Sequence, residues 1–296
     1  MDYLKRYPID ETGVMERVER LNKRSVKNEA KVQALKLCLS LIDLTTLEGK
    51  DSNGKIIQLC RKAIHPCPGF TDLPTVAAVC VYPRLVSLAK QELEETGIRV
   101  ASVATAFPAG LTNLENKLDE TRFAIDQGAD EIDMVISRGE FLQGNYNYVF
   151  DEIAAVRKIC DDIHLKVILE TGELGTLENV RRASQLAIQA GADFIKTSTG
   201  KISPAATQAA TLVMLETIRD HFLETGQKIG MKPAGGIRKA KQAIQYLVMV
   251  NETLGSGWLT PDLFRFGASS LINDLLMQIL KQESGAYQNA DYLSND

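Results

Sequence analysis

Histidine is scarce in this sequence, with three residues in 296, and the HExxH pattern of zinc hydrolases is absent. No GxSxG nucleophile elbow occurs either. A GxGxxG fingerprint after the first apolar run and a GxxxxGK[ST] loop are both missing, which sets aside dinucleotide-binding and P-loop chemistry. The five cysteines, Cys38, Cys60, Cys67, Cys80 and Cys160, are odd in number and lack framework spacing. That points to a reducing cytoplasm rather than a disulfide scaffold. Cys60, His65 and Cys67 lie close together, but their spacing is irregular for zinc, and no metal is expected. No run of 18 apolar residues exists and the N-terminal stretch has no apolar centre, so neither a membrane span nor a signal peptide is expected. Positive charge is in deficit, with a net charge of −4 and a pI near 5.6, which weighs against nucleic-acid binding. A local basic pocket for a small anion stays compatible with that balance.

What is present is an ordinary enzyme composition, 45% hydrophobic and 24% charged, on a chain long enough for one large α/β barrel or two smaller domains. Residues up to about Leu35 are charge-rich and read as helical from Glu11. Beyond them, apolar runs alternate with helical patterns. The strand candidates are LCLSLIDLT (37–45), VAAVCVYP (76–83), RVASVATAF (99–107), EIDMVIS (131–137), HLKVILETG (164–172), FIKTSTG (194–200), KIGMKPAGG (228–236) and RFGASS (265–270). Most are rich in Val and Ile and near-continuously apolar, as parallel strands buried on both faces should be. Thr112 and Glu115 form a capping-box pattern ahead of one helix, and Gly128 and Gly191 suit helix C′ positions. Eight strand–helix units point to an α/β fold of the (β/α)₈ TIM-barrel type with an extra N-terminal helical arm. An open doubly wound sheet is the alternative.

A partial internal repeat sharpens the reading. GADEIDMVI (128–136) echoes GADFIKTST (191–199), and the fifth residue after each glycine is Asp133 in one copy and Lys196 in the other. Equal offsets mean equal strand parity, so in a barrel both side chains point inward from strands four and six. Period-two reading of the other strands adds Leu39, Leu41, Asp43 and Thr45, then Glu131 and Val135, then Lys166, Ile168 and Glu170. Phe194, Ser198, Gly230 and Lys232 complete the set. Barrel interiors are normally filled by branched apolar residues. A concentration of lysines and carboxylates there is costly unless paired, so either an ion-pair network or a catalytic centre is implied.

Lys196 and Lys232 lie on adjacent strands. A free lysine with a pKa near ~10.4 is uncharged in only about one molecule in 2,500 at pH ~7. Bringing it to ~7 requires roughly 4–5 kcal/mol of destabilisation of the ammonium, which burial and a neighbouring cation supply. This pair therefore suits a Schiff-base nucleophile with a cation beside it. The sequence by itself does not say which lysine attacks, though the register match with Asp133 favours Lys196. Asp133 suits either proton handling or orientation of Lys196. Strand seven runs into Pro233-Ala234-Gly235-Gly236 and strand eight into Gly267-Ala268-Ser269-Ser270, with Gly200-Lys201 after strand six. Such glycine-bearing ends after the last strands suit a phosphate. Cys80 reads as a core thiol on a strand that could carry it toward the pocket, and His164 and His221 as surface or strand-edge histidines.

Seven ordered motifs from about Leu41 to Leu275 carry a resemblance: IDLTTL (42–47), AAVCVYPR (77–84), GADEIDMV (128–135), LKVILETGEL (165–174), GADFIKTSTGK (191–201), KPAGGIR (232–238) and RFGASS (265–270). Together they resemble the deoxyribose-phosphate aldolase family. The resemblance implies a (β/α)₈ barrel working through a lysine Schiff base without metal or cofactor. It implies reversible cleavage of 2-deoxy-D-ribose 5-phosphate to D-glyceraldehyde 3-phosphate and acetaldehyde, in deoxynucleoside catabolism. It puts the Schiff-base lysine on Lys196, the second lysine on Lys232 and the proton-relay aspartate on Asp133. Phosphate-binding positions fall on Gly200, Lys201, Gly235, Gly236, Ser269 and Ser270, and further pocket positions on Asp43, Lys166 and Glu170. Some members end in a tyrosine that assists proton transfer; here the chain ends DYLSND, which leaves Tyr287, Tyr292 or neither for that part. The expected organisation is a helical extension over 1–36, a barrel over 37–281 and a polar tail over 282–296. The expected partners are small phosphorylated sugars and aldehydes, without nucleic acid or membrane, in the cytoplasm, and a homodimer stays open. A barrel aldolase for a different phosphorylated sugar, and a silent sugar-phosphate-binding barrel, are the competing readings.

Overall fold

The computed structural model describes residues 7–67, 69–70 and 72–285. Tyr287 and Tyr292 lie outside those residues. Eight short strands form the barrel: β1 (Ile42–Thr45), β2 (Ala78–Val81), β3 (Arg99–Ala104), β4 (Glu131–Val135), β5 (His164–Ile168), β6 (Phe194–Lys196), β7 (Gly230–Lys232) and β8 (Phe266–Ala268). Neighbours pair in parallel in chain order, and β1 also pairs with β8. Between β7 and β8 the bridges Met231–Phe264 and Ala234–Gly267 close the ring. All eight strands sit where the apolar runs predicted them, each shorter than its run.

Eleven helices among the described residues surround the strands or extend the chain: α1 (Glu11–Asn22), α2 (Asn28–Ser40), α3 (Asn53–Ile64), α4 (Val86–Glu92), α5 (Leu114–Asp126), α6 (Arg138–Leu142), α7 (Tyr146–Cys160), α8 (Leu177–Gln189), α9 (Gln208–Thr225), α10 (Ala240–Leu254) and α11 (Leu271–Ser284). Side-chain caps start several of them. Ser52, Thr176 and Thr207 each accept an amide from the first turn of α3, α8 and α9. At α5 the cap is Asn113, which accepts the Asn116 amide at 2.9 Å, and not the expected Thr112. Asn is at least as good a cap as Thr, and Thr112 instead accepts the Asn116 side chain at 3.1 Å. Gly128 and Gly191 do follow α5 and α8 with φ of +98° and +101°, a conformation that side chains disfavour.

The first strand begins later than its apolar run. Residues 37–40 belong to α2, whose inward stripe is Leu35, Cys38 and Leu39, all fully buried. Spacings of three and four are helical, so Leu39 packs beneath α2 rather than inside the barrel. α2 crosses position 36 without a break and packs against α10 and α11, while α1 lies on α9 and α10. Arg17 pairs with Glu216 across the α1–α9 contact, and Asn22 and Gln208 exchange hydrogen bonds at 2.6 and 2.9 Å.

Two apolar regions result. The larger lies between the strands and the helices. The smaller, made by Leu47, Cys80, Ala101, Val103, Phe107, Val135 and Ile168, fills one side of the barrel interior. The rest of the interior holds charged side chains, with Phe194 beside Lys166.

Candidate active site

Alternation along the strands sends Asp43 from β1, Glu131 and Asp133 from β4, Lys166 from β5, Lys196 from β6 and Lys232 from β7 into the barrel, with Arg265 just ahead of β8. Parallel register sets Lys196 opposite Lys232, and Asp133 opposite Lys166. The Oδ2 atom of Asp133 accepts from Lys196 Nζ at 2.6 Å and from Lys232 Nζ at 2.7 Å. Its Oδ1 accepts from Lys166 at 3.2 Å, and Lys166 is also bonded to Glu131. Lys232 is paired with Asp43 at 2.6 Å. Arg265 completes the network. Its guanidinium donates to Asp43 through one nitrogen and to Glu131 at 2.8 Å through the other. At the lower rim Arg99 bridges Glu131 at 3.1 Å and Asp262 at 2.6 Å.

These pairings decide the protonation states. Burial alone would raise the Asp133 carboxyl, but Lys166, Lys196 and Lys232 hold it well below its usual value. Asp43 and Glu131 are likewise depressed, because Arg265 and the lysines outweigh burial. The two key lysines diverge. Burial and the Lys232 cation lower the Lys196 pKa against the pull of Asp133. Lys232 faces the same burial but touches two carboxylates, Asp133 and Asp43, which raise it. The Cys80 thiol sits among these groups, fully buried, and burial raises its pKa, so it stays neutral.

Above the network, at the C-terminal end of the strands, lies a cavity of about 630 Å³. Lys196 reaches its floor, and Gly200, Lys201, Gly235, Gly236, Ser269 and Ser270 line its wall. Gly235 and Gly236 both have positive φ, +79° and +80°. A Cβ on Gly235 would stand 2.8 Å from the Gly200 Cα, so only glycine lets the loops after β6 and β7 approach this closely. Ser270 precedes α11, whose first amides are unpaired within the helix and suit an anion.

The structure brings Lys196, Lys232 and Asp133 together and separates two other expected site residues from the cavity. Asp43 and Lys166, like Asp133 and Lys232, do not line it; they lie beneath it, fully buried and held in the ion pairs above. Glu170 also turns away. It adopts φ +54° and its carboxylate accepts the Thr199 amide at 3.2 Å and the Thr199 hydroxyl, fixing the loop that carries Gly200 and Lys201. Sequence reasoning passed over Arg265 although period-two counting back from Gly267 reaches it. It also passed over Thr46, Lys50 and Arg238 at the cavity wall, which lie on loops where no strand parity applies, and Lys55 in the first turn of α3.

A closed parallel barrel with a buried lysine at the floor of a polar cavity suits an enzyme of carbonyl chemistry. Residues 37–276 match the family model described as DeoC/LacD family aldolase, and the chain belongs to that family. The deoxyribose-phosphate aldolases of Mus musculus and Homo sapiens are each 46% identical over 300 residues, covering 97% of this chain and 94% of theirs. Among solved structures, a deoxyribose phosphate aldolase from Aeropyrum pernix superposes with a TM-score of 0.63 at 23% identity, covering 88% of this chain and 100% of that one, which speaks to the fold. Among the described residues no helix is long and apolar enough to cross a membrane.

Proposed function

We propose that this chain cleaves 2-deoxy-D-ribose 5-phosphate reversibly to D-glyceraldehyde 3-phosphate and acetaldehyde, through a Schiff base on Lys196. The observation that carries this reading is the single Asp133 oxygen shared by Lys196 and Lys232. That contact supports the reading, with a carboxylate within reach of the Lys196 amine and a second ammonium beside it.

In this reading the uncharged Lys196 amine adds to C1 of the open-chain aldehyde. Asp133 passes a proton to the departing hydroxyl, and water leaves as the imine forms. The protonated imine draws electrons from the C2–C3 bond. That bond breaks as the C3 hydroxyl gives up its proton, releasing glyceraldehyde 3-phosphate. The enamine left on Lys196 is protonated at C2, and hydrolysis frees acetaldehyde. The phosphate is held by the amides around Gly200, Gly235, Gly236 and Ser270, by the Ser269 and Ser270 hydroxyls, and by Lys201, which also pairs with Glu48 at 2.6 Å. Asp43 and Lys166 act from below by holding Lys232 and Asp133 in place. Five buried thiols without a disulfide suit a reducing cytoplasm.

The test is chemical trapping. Incubation with acetaldehyde or deoxyribose 5-phosphate followed by borohydride should leave a reduced adduct on the peptide containing Lys196. Protein recovered unmodified would defeat the nucleophile assignment, and a panel of phosphorylated sugars would check the substrate.

A further inference from the structure

Charge balance inside the barrel singles out a residue with no contact to the cavity. Among the described residues, the fully buried interior holds three carboxylates, Asp43, Glu131 and Asp133, against four basic groups, Lys166, Lys196, Lys232 and Arg265. A low-dielectric interior strongly disfavours net charge, so one of the four should be uncharged. The contacts say which. The guanidinium of Arg265 does not lose its proton in proteins. Lys232 touches Asp43 and Asp133, and Lys166 touches Glu131 and Asp133. Lys196 touches Asp133 alone, on an oxygen already claimed by Lys232.

We propose that Arg265 is a positioning residue for catalysis, whose fixed charge occupies Asp43 and Glu131 and thereby leaves Lys196 as the one basic group without a carboxylate of its own. The inference rests on Lys196 being the Schiff-base nucleophile. Every ionisable group facing Lys196 enters the count. β1 brings Asp43, β2 the neutral thiol of Cys80, β4 Glu131 and Asp133, β5 Lys166, and β7 Lys232. β3 contributes Ala101 and Val103 to the interior, with Arg99 at the lower rim paired to Asp262 and Glu131. At the upper rim Glu170, whose pKa burial raises toward the neutral form, lies 3.6 Å from Arg138, which also pairs with Glu173 at 2.6 Å, and Lys201 is offset by Glu48. At the lower rim, burial lowers the pKa of His164 toward the neutral form.

Without Arg265, its two carboxylates would draw on Lys166 and Lys232, and the proton missing from Lys196 would be restored. Opposite signs follow for opposite changes. Arg265→Gln should move the acidic limb of kcat/KM to higher pH, by about one pH unit or more, with about tenfold loss at pH ~7 that recovers on the alkaline side. Glu131→Gln should move the same limb to lower pH. The double variant Glu131→Gln/Arg265→Gln removes one charge of each sign and should return the limb to the wild-type position, as should Arg265→Lys. A merely structural role would lower kcat in every variant without moving the limb, and would make the double variant the worst of them.

Wild-type trapping by acetaldehyde and borohydride is run alongside. Failure to label Lys196 in the wild type defeats the nucleophile reading itself. Labelling of the wild type with coincident pH limbs for Glu131→Gln, Arg265→Lys and the double variant, or with shifts of the same sign for both single changes, overturns the role of Arg265. If Arg265→Gln does not fold, the opposing pair still available is Glu131→Gln against the double variant. A limb moved acidward in the first and restored in the second supports the proposal, and any other ordering overturns it.

Discussion

Lys196 and Lys232 converge on one oxygen, Oδ2 of Asp133, at 2.6 and 2.7 Å. Two ammonium groups this close repel each other, so the second carboxylate held by Lys232 decides which of them keeps its proton. Asp43, at 2.6 Å, is on the Lys232 side.

Replacing Lys232 by Met should therefore disable Lys196 without touching it. The lost cation is one of the causes that lower the Lys196 pKa, so that pKa rises and the neutral fraction at a given pH falls. The acidic limb of kcat/KM moves to higher pH, and below it activity drops about tenfold for every pH unit the limb travels. A pH–rate profile superimposable on that of the wild type would refute this.

Asp133→Asn should separate imine formation from turnover. Loss of the carboxylate removes what favours the Lys196 ammonium, so the amine stays available and borohydride still labels it. Turnover should fall by roughly 10²- to 10⁴-fold, the usual worth of a positioned proton-transfer group. Near-normal turnover would show that Asp133 only orients its neighbours.

The two adjacent glycines should behave differently. At Gly236 a Cβ meets open space, and the penalty is that of positive φ, about 1–2 kcal/mol. At Gly235 the same penalty is joined by contacts of 2.7 Å to Ala205 and 2.8 Å to Gly200. Gly235→Ala should lower the melting temperature more than Gly236→Ala. It should also raise KM for the phosphorylated substrate by about tenfold or more, equal to the loss of about 1.4 kcal/mol of binding. KM for unphosphorylated deoxyribose should change far less. Equal effects on both substrates would remove the phosphate role of this loop.

A buried ion pair outside the barrel offers a stability test independent of catalysis. Lys117 of α5 donates to Glu152 of α7 at 2.6 Å and to the Ser137 hydroxyl at 2.8 Å, with both charged side chains buried. Lys117→Met strands the Glu152 carboxylate and should cost about 3–5 kcal/mol. Adding Glu152→Leu should recover most of that loss. Denaturant unfolding measures both, and a single variant as stable as the wild type would contradict it.

Much of this was legible in the sequence because parallel strands buried on both faces must be continuously apolar. The runs around Val79, Val103, Met134 and Val167 stand out on that basis. The charged interior was legible because lysines and aspartates interrupt such runs at period two, and the GADEIDMVI–GADFIKTST echo fixed the parity of Asp133 against Lys196. The edges were less so. Leu37 to Leu41 is apolar enough for a strand, yet Leu35, Cys38 and Leu39 face the core from a helix, and only tertiary packing separates the two readings. Arg265 was passed over because β8 has only three residues, one of them Gly267, and leaves almost no alternation to count. The bonding of Glu170 to Thr199 goes with its left-handed backbone, which residue spacing does not foretell.

Asp43 and Arg265 are joined inside the ring although 222 positions separate them in the chain. A polypeptide emerging from the ribosome carries the reactive amine long before it carries the guanidinium that completes its surroundings. The charge pattern around Lys196 is therefore complete only once the last strand has closed the ring.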